Sequence, residues 1–326
     1  MIFLKRTLLI YNPASGRQVF KKHLSNIEKR FQENNHHLDV FQTEYPRQAT
    51  EIAYRACQER YDYLIIAGGD GTFNECLNGI MKSEYRPIIG HLPAGTGCDI
   101  ANTLGIKKSI DKALDVFFSN HMVLMDVVKA NDRYFTYVSG NGAFIDISYV
   151  TDSKMKKKFG WIAYIFKALE ELFTIPKMPM KATYDNGVCE GVFSLILIIN
   201  SKLVAGMNLI YKPILDDGKV DVVMYRNIYP FNWISYLGSY FFPFWSTPLV
   251  KRFRTSELKI ETTTKSRWNI DGESGGVGNQ NIKVCQKAIA IVINKKVSNK
   301  HFKYQNQDIA QTCSIAPLQS EQGILD

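Results

Sequence analysis

Apolar runs alternate with amphipathic stretches over the first third of the chain. The predicted strands cover residues 7–11, 38–43, 63–67 and 87–92, and the predicted helices cover residues 19–34, 49–59, 73–81 and 110–118. This assignment follows from apolar residues that recur either in short continuous runs or at helical spacing. Regular alternation of strand and helix is typical of right-handed crossovers and a mostly parallel sheet. We therefore predict an α/β domain with a parallel sheet over residues 1–128.

From about residue 122 the pattern changes to strands in succession. The predicted strands are 122–129, 134–139, 180–185, 192–200, 219–225, 258–263 and 288–294, and the predicted helices are 159–173 and 231–240. Strands with few helices between them are typical of antiparallel sheets. We predict a mainly antiparallel β-sandwich domain with inserted helices over residues 129–296. The polar residues 297–326 are expected to form a weakly docked or disordered extension.

Composition limits the class of protein. A chain of 326 residues suits two domains. Its 45% hydrophobic and 22% charged residues argue against general disorder and against a polytopic membrane protein. The net charge of +9, from 40 Lys and Arg against 31 Asp and Glu, favours an anionic partner such as a nucleotide or a lipid headgroup. The chain has no RNA-binding motif and no long basic arm, so nucleic acid is not an expected partner.

Cysteine usage and the amino terminus both favour a cytoplasmic location. The six cysteines are scattered, with no CxxC pair and no histidine spacing suited to zinc, as expected in a reducing compartment. The apolar run at residues 7–11 is too short for the core of a signal peptide and leads directly into Asn12-Pro13. We therefore expect a protein of the cytoplasm.

A glycine-rich turn follows the third predicted strand. Its sequence is Gly68-Gly69-Asp70-Gly71-Thr72, and a predicted helix begins directly after it. Glycines let backbone N–H groups approach an anion, and the positive end of the helix dipole adds a favourable field. Because Asp70 would repel a bare phosphate, we expect a magnesium ion between the two. The alternative is a tight strand-to-helix turn capped by Thr72.

A second glycine turn, Gly95-Thr96-Gly97, follows the next predicted strand and leads to Asp99. In an open parallel sheet, the loops at the carboxyl ends of the strands lie at one edge and bind the ligand there. We therefore expect both glycine turns and residues 12–16 to converge. The alternative for this second turn is a simple helix cap by Thr96 or Asp99.

Several acids are candidates for metal binding or proton transfer. Asp70, Asp99 and Asp126 each follow a predicted strand or a glycine turn, and they would bind Mg²⁺ directly or through its waters. Asp126 is equally well explained as an ordinary strand-end residue. Asp271 and Glu273 flank a glycine, so in an extended strand both would face the same side, and either would accept a proton. An exposed Asp-Gly turn is the alternative for this segment.

The motifs together resemble a known family. The chain has neither a Walker-type GxxxxGK[ST] motif nor the protein-kinase set of motifs. Instead, Asn12, Gly16, Thr43, residues 68–74 and Thr96 resemble the diacylglycerol kinase catalytic domain of the soluble bacterial lipid kinases. Residues 216–218 resemble the DDG segment of that family, residues 271–273 its DGE segment and residues 159–164 its GxxxY helix. The resemblance spans most of residues 1–296.

The resemblance implies that ATP, with Mg²⁺, phosphorylates a lipid hydroxyl, with diacylglycerol as the favoured acceptor and phosphatidate as the product. Asp271 or Glu273 would be the base. Asp217, with the backbone carbonyls of Ile214 and Lys219, would hold a structural magnesium ion. The implied nucleotide-binding residues are Asn12, Gly16, Thr43, Gly68, Gly69, Asp70, Gly71, Thr72, Phe73, Asn74, Glu75, Gly95 and Thr96.

One aromatic-rich interval suits contact with a membrane surface. No charged residue occurs between Arg226 and Lys251, but three prolines and several polar residues argue against a membrane span. The aromatics, with Lys251, Arg252, Arg254 and the lysines of residues 154–158, would suit transient association with an anionic bilayer. Burial of the aromatics in a core and a solvated lysine face are the alternatives.

Two other functions stay open at this point. An NAD kinase-like enzyme would also carry a GGDGT loop, although residues 216–218 and 271–273 argue against it. A regulatory protein would bind the nucleotide or the lipid without turnover, although intact Asp70, Asp271 and Glu273 argue against that. A homodimer is a further alternative for the quaternary state.

Overall fold

The computed structural model of the chain describes residues 4–15, 20–95, 98–143, 175–204, 207, 209–210, 212–242 and 246–303. These residues form two compact units. Unit 1 contains the described residues up to Met125 together with Ala288–Asn299. Unit 2 contains the described residues of Asp126–Lys287 together with Lys300–Lys303. The predicted helix at 159–173 and the lysines of residues 154–158 lie outside the described residues.

Unit 1 contains a parallel sheet of four adjacent strands in the order β2-β1-β3-β4. The strands are β1 (Lys5–Tyr11), β2 (His36–Gln42), β3 (Tyr63–Gly68) and β4 (Ile88–Pro93). All three pairings between them are parallel. β3 and β4 are buried along their whole length, as expected for parallel strands that are covered on both faces.

The helices between these strands are α1 (Leu24–Glu33), α2 (Gln48–Gln58) and α3 (Asp70–Ile80). After β4 come α4 (Asp99–Thr103) and α5 (Ile110–Phe118). The apolar faces of α1 and α5 meet through Phe31 and Phe117, whose ring centroids are 5.3 Å apart. Between α2 and α3, a Cβ on Gly79 would collide with the backbone carbonyl of Thr50, so this close packing requires glycine.

Unit 2 is mainly antiparallel. The remaining strands are β5 (Met122–Ala130), β6 (Arg133–Phe135), β7 (Val138–Gly142), β8 (Met178–Tyr184), β9 (Gly187–Ile199), β10 (Val220–Arg226), β11 (Val250–Thr255), β12 (Glu257–Thr262), β13 (Arg267–Ile270), β14 (Glu273–Val277) and β15 (Gln280–Val292). The order β14-β13-β7-β9-β8-β12-β15 describes most of their pairing, and β10 joins β9 to β11. Buried and exposed residues alternate along β8, which is typical of a strand with one face on a core.

The core of unit 2 is formed by inward-facing side chains of these strands. Trp268, Phe135 and Phe193 are among its wholly buried members. The indole Nε1 of Trp268 donates a hydrogen bond to the carbonyl of Gly278 at 2.8 Å, so its polar atom is satisfied in the core. The predicted fold class, a parallel α/β domain followed by an antiparallel β-sandwich, is therefore confirmed.

Two helices lie among the described residues of the second half of the chain, α6 (Asn232–Phe241) and α7 (Lys295–His301). The sequence predicted α6 but described the chain after residue 296 as weakly docked or disordered. In the structure α7 extends beyond that point, and His301 and Phe302 are buried. The Nδ1 atom of His301 lies 3.1 Å from the carbonyl of Pro213. Burial of these two rings orders the chain as far as Lys303, and residues 304–326 lie outside the described residues.

The observed strands differ from the predicted ones in two further respects. One arises from local composition and the other from pairing between distant parts of the chain. The short strands β11, β13 and β14 were not predicted, because their basic, polar and glycine residues hide the apolar alternation. The end of β15 pairs in parallel with β4 through Ile291 and Ile89, and Ala288–Asn299 belong to unit 1. The chain thus returns to its first unit, which a linear pattern does not reveal.

Unit 1 encloses a histidine that titrates abnormally. His91 in β4 is buried, and its Nε2 lies 3.4 Å from the carbonyl of Gly68. Burial lowers the pKa of His91 from 6.5 to about 4. Because this folded-state pKa lies below the unfolded value, the unfolded chain takes up the proton first as the pH falls. The stability that depends on the neutral ring is complete above pH 6.5 and is lost toward pH 4.

We predict that His91→Gln reduces the acid sensitivity of the fold. Glutamine keeps a donor near Gly68, whose carbonyl also accepts the N–H of Ala94 at 3.0 Å. The free energy of unfolding, measured by urea denaturation, should fall less steeply below pH 6.5, by up to about 1.4 kcal/mol per pH unit. Exposed His37→Gln is the matched control and should keep the original slope. Equal slopes for His91→Gln and the unmodified protein would contradict this assignment.

Candidate active site

Predicted nucleotide-binding residues lie at the carboxyl ends of four neighbouring parallel strands. Asn12 follows β1, Thr43 follows β2, Gly69 follows β3, and Gly95 lies just beyond β4. The N–H of Thr43 donates to the carbonyl of Tyr11 at 3.0 Å. These residues of unit 1 therefore share one edge of the sheet, as expected for a ligand site in an open parallel sheet. Gly16 and Thr96 lie outside the described residues.

The first glycine turn leads into α3 earlier than predicted. α3 begins at Asp70, and Gly69 precedes it in an extended conformation with φ −92° and ψ −173°. Thr72 lies inside the first helical turn, so it is not the cap of this helix. The first N–H groups of a helix lack intrahelical acceptors, and the positive end of the helix dipole lies there. A Cβ built on Gly71 meets no described atom within 4 Å, so an anion would have room beside this turn.

The turn is packed closely on its other side. A Cβ on Gly68 would lie 2.6 Å from the Cβ and Oγ1 atoms of Thr72, so the turn excludes any side chain at residue 68. The Nδ2 of Asn12 lies 3.5 Å from the Thr72 hydroxyl, and its Oδ1 accepts the N–H of Ala14 at 2.9 Å. Asn12 thus connects the end of β1 with the start of α3.

Asp70 connects the first glycine turn with the start of α4. Its Oδ2 accepts the N–H of Asp99 at 3.0 Å, and its Oδ1 accepts the N–H of Ile100 at 3.2 Å. Burial raises the pKa of Asp70, and the two N–H bonds oppose that effect. Each carboxylate oxygen keeps a further lone pair, so Asp70 fits the binding of a metal ion as well as its structural role.

The next side chains along α3 mostly belong to the core of unit 1. Phe73 is wholly buried and its ring lies 5.1 Å from that of His91, while Asn74 is also buried. The carbonyl of Glu75 accepts a hydrogen bond from the Thr50 hydroxyl at 2.8 Å. A contribution of Phe73 to nucleotide binding would therefore come from its backbone. The nucleotide role of all these residues stays a prediction.

Asp126 belongs to unit 2, where it holds two backbone segments. Its Oδ2 accepts the N–H of Gly218 at 2.6 Å, and its Oδ1 accepts the N–H of Lys287 at 2.7 Å. The side chain is wholly buried, and burial raises the pKa of Asp126 to about 6 against the effect of these bonds. Asp216 is also buried and accepts the N–H of Lys303 at 2.8 and 2.9 Å.

Arg254 contacts all three groups predicted to hold a structural magnesium ion. Its Nη1 and Nη2 donate to the Asp217 carboxylate at 2.7 and 3.0 Å. Nη2 also lies 3.4 Å from the carbonyl of Ile214 and 3.3 Å from that of Lys219. Mg²⁺ requires oxygen ligands at about 2.0–2.1 Å and cannot share this position with a guanidinium group. The residues as arranged do not fit a metal ion here.

Sequence reasoning missed this role of Arg254. It placed Arg254 in a basic cluster that faces a membrane, whereas the side chain is two-thirds buried beside acids. No local pattern in the sequence signals this role, because Arg254 meets Asp221 only through the pairing of β11 with β10. Among the residues that the structure describes, no group of three or more His, Cys, Asp and Glu side chains is arranged to hold a metal ion.

The DGE segment forms a turn and not the extended strand that was considered. Ile270 pairs with Glu273, and the two residues between them have φ values of 50° and 91°, as in a two-residue hairpin turn. Asp271 is buried, whereas Glu273 is exposed. The Asp271 carboxylate accepts the N–H groups of residues 136, 137 and 138 at 3.3, 3.2 and 2.8 Å. The two acids therefore have different surroundings.

Comparison with known proteins shows the family. The model of the diacylglycerol kinase catalytic domain matches residues 6–130, and that of the YegS C-terminal NAD kinase beta sandwich-like domain matches residues 143–293. A protein of Staphylococcus carnosus (strain TM300) named diacylglycerol kinase is 32% identical over 305 residues, which are 93% of this chain and 99% of that protein. The chain belongs to the diacylglycerol kinase family.

Other members of the diacylglycerol kinase family support the same conclusion. The diacylglycerol kinase of Bacillus subtilis (strain 168) is 31% identical over 84% of this chain and 91% of its own length. The crystal structure of a diacylglycerol kinase from Bacillus anthracis str. Sterne has a TM-score of 0.73 and 26% identity, and the match covers 91% of this chain and 100% of that one. The predicted resemblance and the predicted class of enzyme, a lipid kinase, are confirmed.

We predict opposite effects for alanine at two glycines of the first turn. Gly68→Ala should lower the free energy of unfolding by about 1–3 kcal/mol, because its Cβ collides with the buried Thr72. Gly71→Ala is the matched control, since its Cβ enters open space inside a helix, where alanine is favoured by up to about 1 kcal/mol. Chemical denaturation measures both. Equal destabilisation by the two substitutions would contradict the packing described here.

Proposed function

We propose that this lipid kinase transfers the γ-phosphoryl group of ATP, bound with Mg²⁺, to the hydroxyl of diacylglycerol and so forms phosphatidate. The observation that carries the proposal is the double hydrogen bond of Asp70 to Asp99 and Ile100. It joins the first glycine turn to the start of α4 at the carboxyl edge of a parallel sheet, where open α/β folds bind their ligands. Relatives named diacylglycerol kinase support the choice of acceptor.

The residues of the first turn would bind the phosphates of the nucleotide. The first turn of α3 offers N–H groups, and the open space beside Gly71 leaves room for phosphate oxygens. ATP supplies the transferred group, and Mg²⁺ neutralises its negative charge. Asp70 would hold the metal, with Asp99 beside it. Because Asp126 is wholly buried in unit 2, where it binds two backbone N–H groups, we assign it only a structural role.

Asp271 and Glu273 remain the two proposed bases. Phosphoryl transfer depends on positioning and on charge neutralisation, and one nearby acceptor for the hydroxyl proton completes the requirement. Asp271 is held rigidly by three N–H groups, of which its Oδ2 accepts only one. Glu273 is exposed at the start of β14. No described atom lies within 4 Å of a Cβ built on Gly272, so the turn between them is open to a substrate.

We predict that the purified protein with labelled ATP and Mg²⁺ phosphorylates dioleoylglycerol in mixed micelles. Substitution of the base should lower kcat about 100-fold or more, and substitution of the other acid should lower it much less. The variants are Glu273→Gln and Asp271→Asn, with exposed Glu257→Gln as the matched control. Asp271→Asn also loses hydrogen bonds in the core. Thermal unfolding of each variant therefore separates a loss of the proposed base from a loss of stability.

Parallel reactions with other acceptors test the alternatives. Sphingosine and phosphatidylglycerol examine other lipid alcohols, and NAD examines the NAD kinase-like reading. Labelled NADP without labelled phosphatidate would overturn the proposal. Binding of ATP without transfer to any of these acceptors would favour a regulatory protein. Full activity after removal of divalent ions by EDTA would overturn the proposed metal dependence.

Helix α6 has an inverted distribution of polar and apolar residues. Its polar residues Asn232, Ser235 and Ser239 are buried. Trp233, Leu237 and Phe241, which recur every four residues and so share one face, are 49%, 51% and 63% exposed. Ordinary surface helices bury the apolar face and expose the polar one. The exposed face of α6 therefore suits an apolar partner.

We propose that this face of α6 contacts the bilayer that contains the lipid substrate. Aromatic and aliphatic side chains on one exposed helical face are typical of helices that lie in the membrane interface. Ile234, Phe231 and Phe242 extend the exposed apolar area around the helix. Exposed Lys251 follows this segment and would attract anionic headgroups. Among the described residues, no helix is long and apolar enough to cross a bilayer.

We predict that the double variant Trp233→Ser/Leu237→Ser loses binding to phosphatidylglycerol vesicles by more than about tenfold, because each removed side chain contributes roughly 1.5–3 kcal/mol of apolar burial. Co-sedimentation measures binding. The matched control is Val188→Ser/Val277→Ser, which removes equally exposed apolar side chains from strands and should bind normally. Unchanged vesicle binding, together with a loss of dimer in light scattering, would identify the face as a subunit interface and overturn the proposal.

A further inference from the structure

One guanidinium group lies at the centre of an acidic loop in unit 2. The loop contains Asp216 and Asp217, and Asp221 follows it in β10. Arg254 binds the Asp217 carboxylate through two nitrogens, and its Nε lies 3.3 Å from the Asp221 carboxylate. Lys303 is also close to Asp217, with its Nζ 3.7 Å away. Arg254 therefore contacts one acid of the loop and one acid of β10 at once.

The same guanidinium also satisfies backbone carbonyls of the loop. Its Nη2 approaches the carbonyls of Ile214 and Lys219 at 3.4 and 3.3 Å. These two carbonyls and the Asp217 carboxylate are the oxygen set that the family resemblance assigned to a structural magnesium ion. A divalent ion in this position would neutralise the acids and orient the carbonyls. Arg254 does both through hydrogen bonds.

We propose that Arg254 is a built-in cation that replaces a structural divalent metal ion in this chain. The acidic loop then keeps its conformation without any metal. A guanidinium group suits this task because it carries five N–H donors in a fixed plane and stays charged at physiological pH. Pairing of β10 with β11 places Arg254 opposite Asp221, so the guanidinium reaches this position when the two strands pair. The inference concerns the stability of unit 2 and does not depend on the proposed substrate.

The proposal separates two uses of metal in this protein. In the proposed reaction, residues of unit 1 bind Mg²⁺ together with ATP. The loop at Asp217 would need no metal ion. The nucleotide-free protein should therefore unfold at the same temperature with Mg²⁺ and with EDTA. Its Mn²⁺ binding, followed by electron paramagnetic resonance, should be unchanged by Asp217→Asn.

The decisive variant removes the guanidinium and opens its position. We predict that Arg254→Ala unfolds at a temperature about 5 °C lower in EDTA, because two partly buried carboxylates lose their main partner. Mg²⁺ alone should restore part of this loss, since the oxygen set is then open to an ion. Arg254→Ala/Asp217→Asn should not respond to Mg²⁺. Lys251→Ala, an exposed residue of the same strand, is the matched control and should unfold like the unmodified protein.

Two results would overturn the proposal. The first is a nucleotide-free protein that is stabilised by Mg²⁺, or that binds Mn²⁺, in a manner abolished by Asp217→Asn. This measurement stands even if Arg254→Ala fails to fold. The second is an Arg254→Ala protein that gains no more from Mg²⁺ than the double variant, because the guanidinium would then not occupy the place of an ion.

Discussion

Loops in both units depend on carboxylates that accept backbone N–H groups from distant segments. Asp70 binds the start of α4, Asp126 binds Gly218 and Lys287, and Asp271 binds three consecutive N–H groups after β6. Asp216 does the same for Lys303. Backbone N–H groups that leave water must find an acceptor, and an ionised acceptor is stronger than a neutral one. Short aspartates therefore act as connectors between backbone segments that lie far apart along the chain.

This arrangement explains why residue type alone does not distinguish aspartates that hold the backbone from aspartates that would bind a metal ion. Asp70 organises the edge of the sheet at which the nucleotide is proposed to bind, and the same carboxylate keeps lone pairs for a metal ion. Asp126 has the same number of N–H partners but lies wholly inside unit 2. Asp217 differs from both, because its partner is the side chain of Arg254. The environment of each carboxylate, more than its position after a strand, defines what it does.

Helix α6 buries polar residues and exposes large apolar ones. Its serines and Asn232 are buried, and the Asn232 Oδ1 accepts the N–H of Ile228 at 2.9 Å. Tyr236 also faces inward, where its hydroxyl bonds that of Ser194 at 2.8 Å. Asn232 and Tyr236 thus meet polar partners inside unit 2, and the large apolar residues remain outside. A lipid kinase that has to reach a substrate in a bilayer would use such a face.

Much of the fold and the family can be read from the amino-acid sequence. The apolar periodicity defined β1 to β4 and α5, because local burial patterns of strands and helices can be read in a linear chain. The glycine turn at residues 68–72 and the DGE segment at residues 271–273 indicated the family, since few chemistries need those residues together. The same patterns missed β11, β13 and β14, in which polar and glycine residues carry no clear period.

Which side chains contact each other became visible in the folded chain. It returned the end of β15 to unit 1, placed Arg254 against Asp217, made Asp271 a buried turn residue and exposed the apolar face of α6. Each of these depends on pairing between residues far apart along the chain. A one-dimensional pattern records how each residue relates to its own neighbours. The partner of a carboxylate or a guanidinium is chosen by strand register and by burial, and both exist only after the chain has folded.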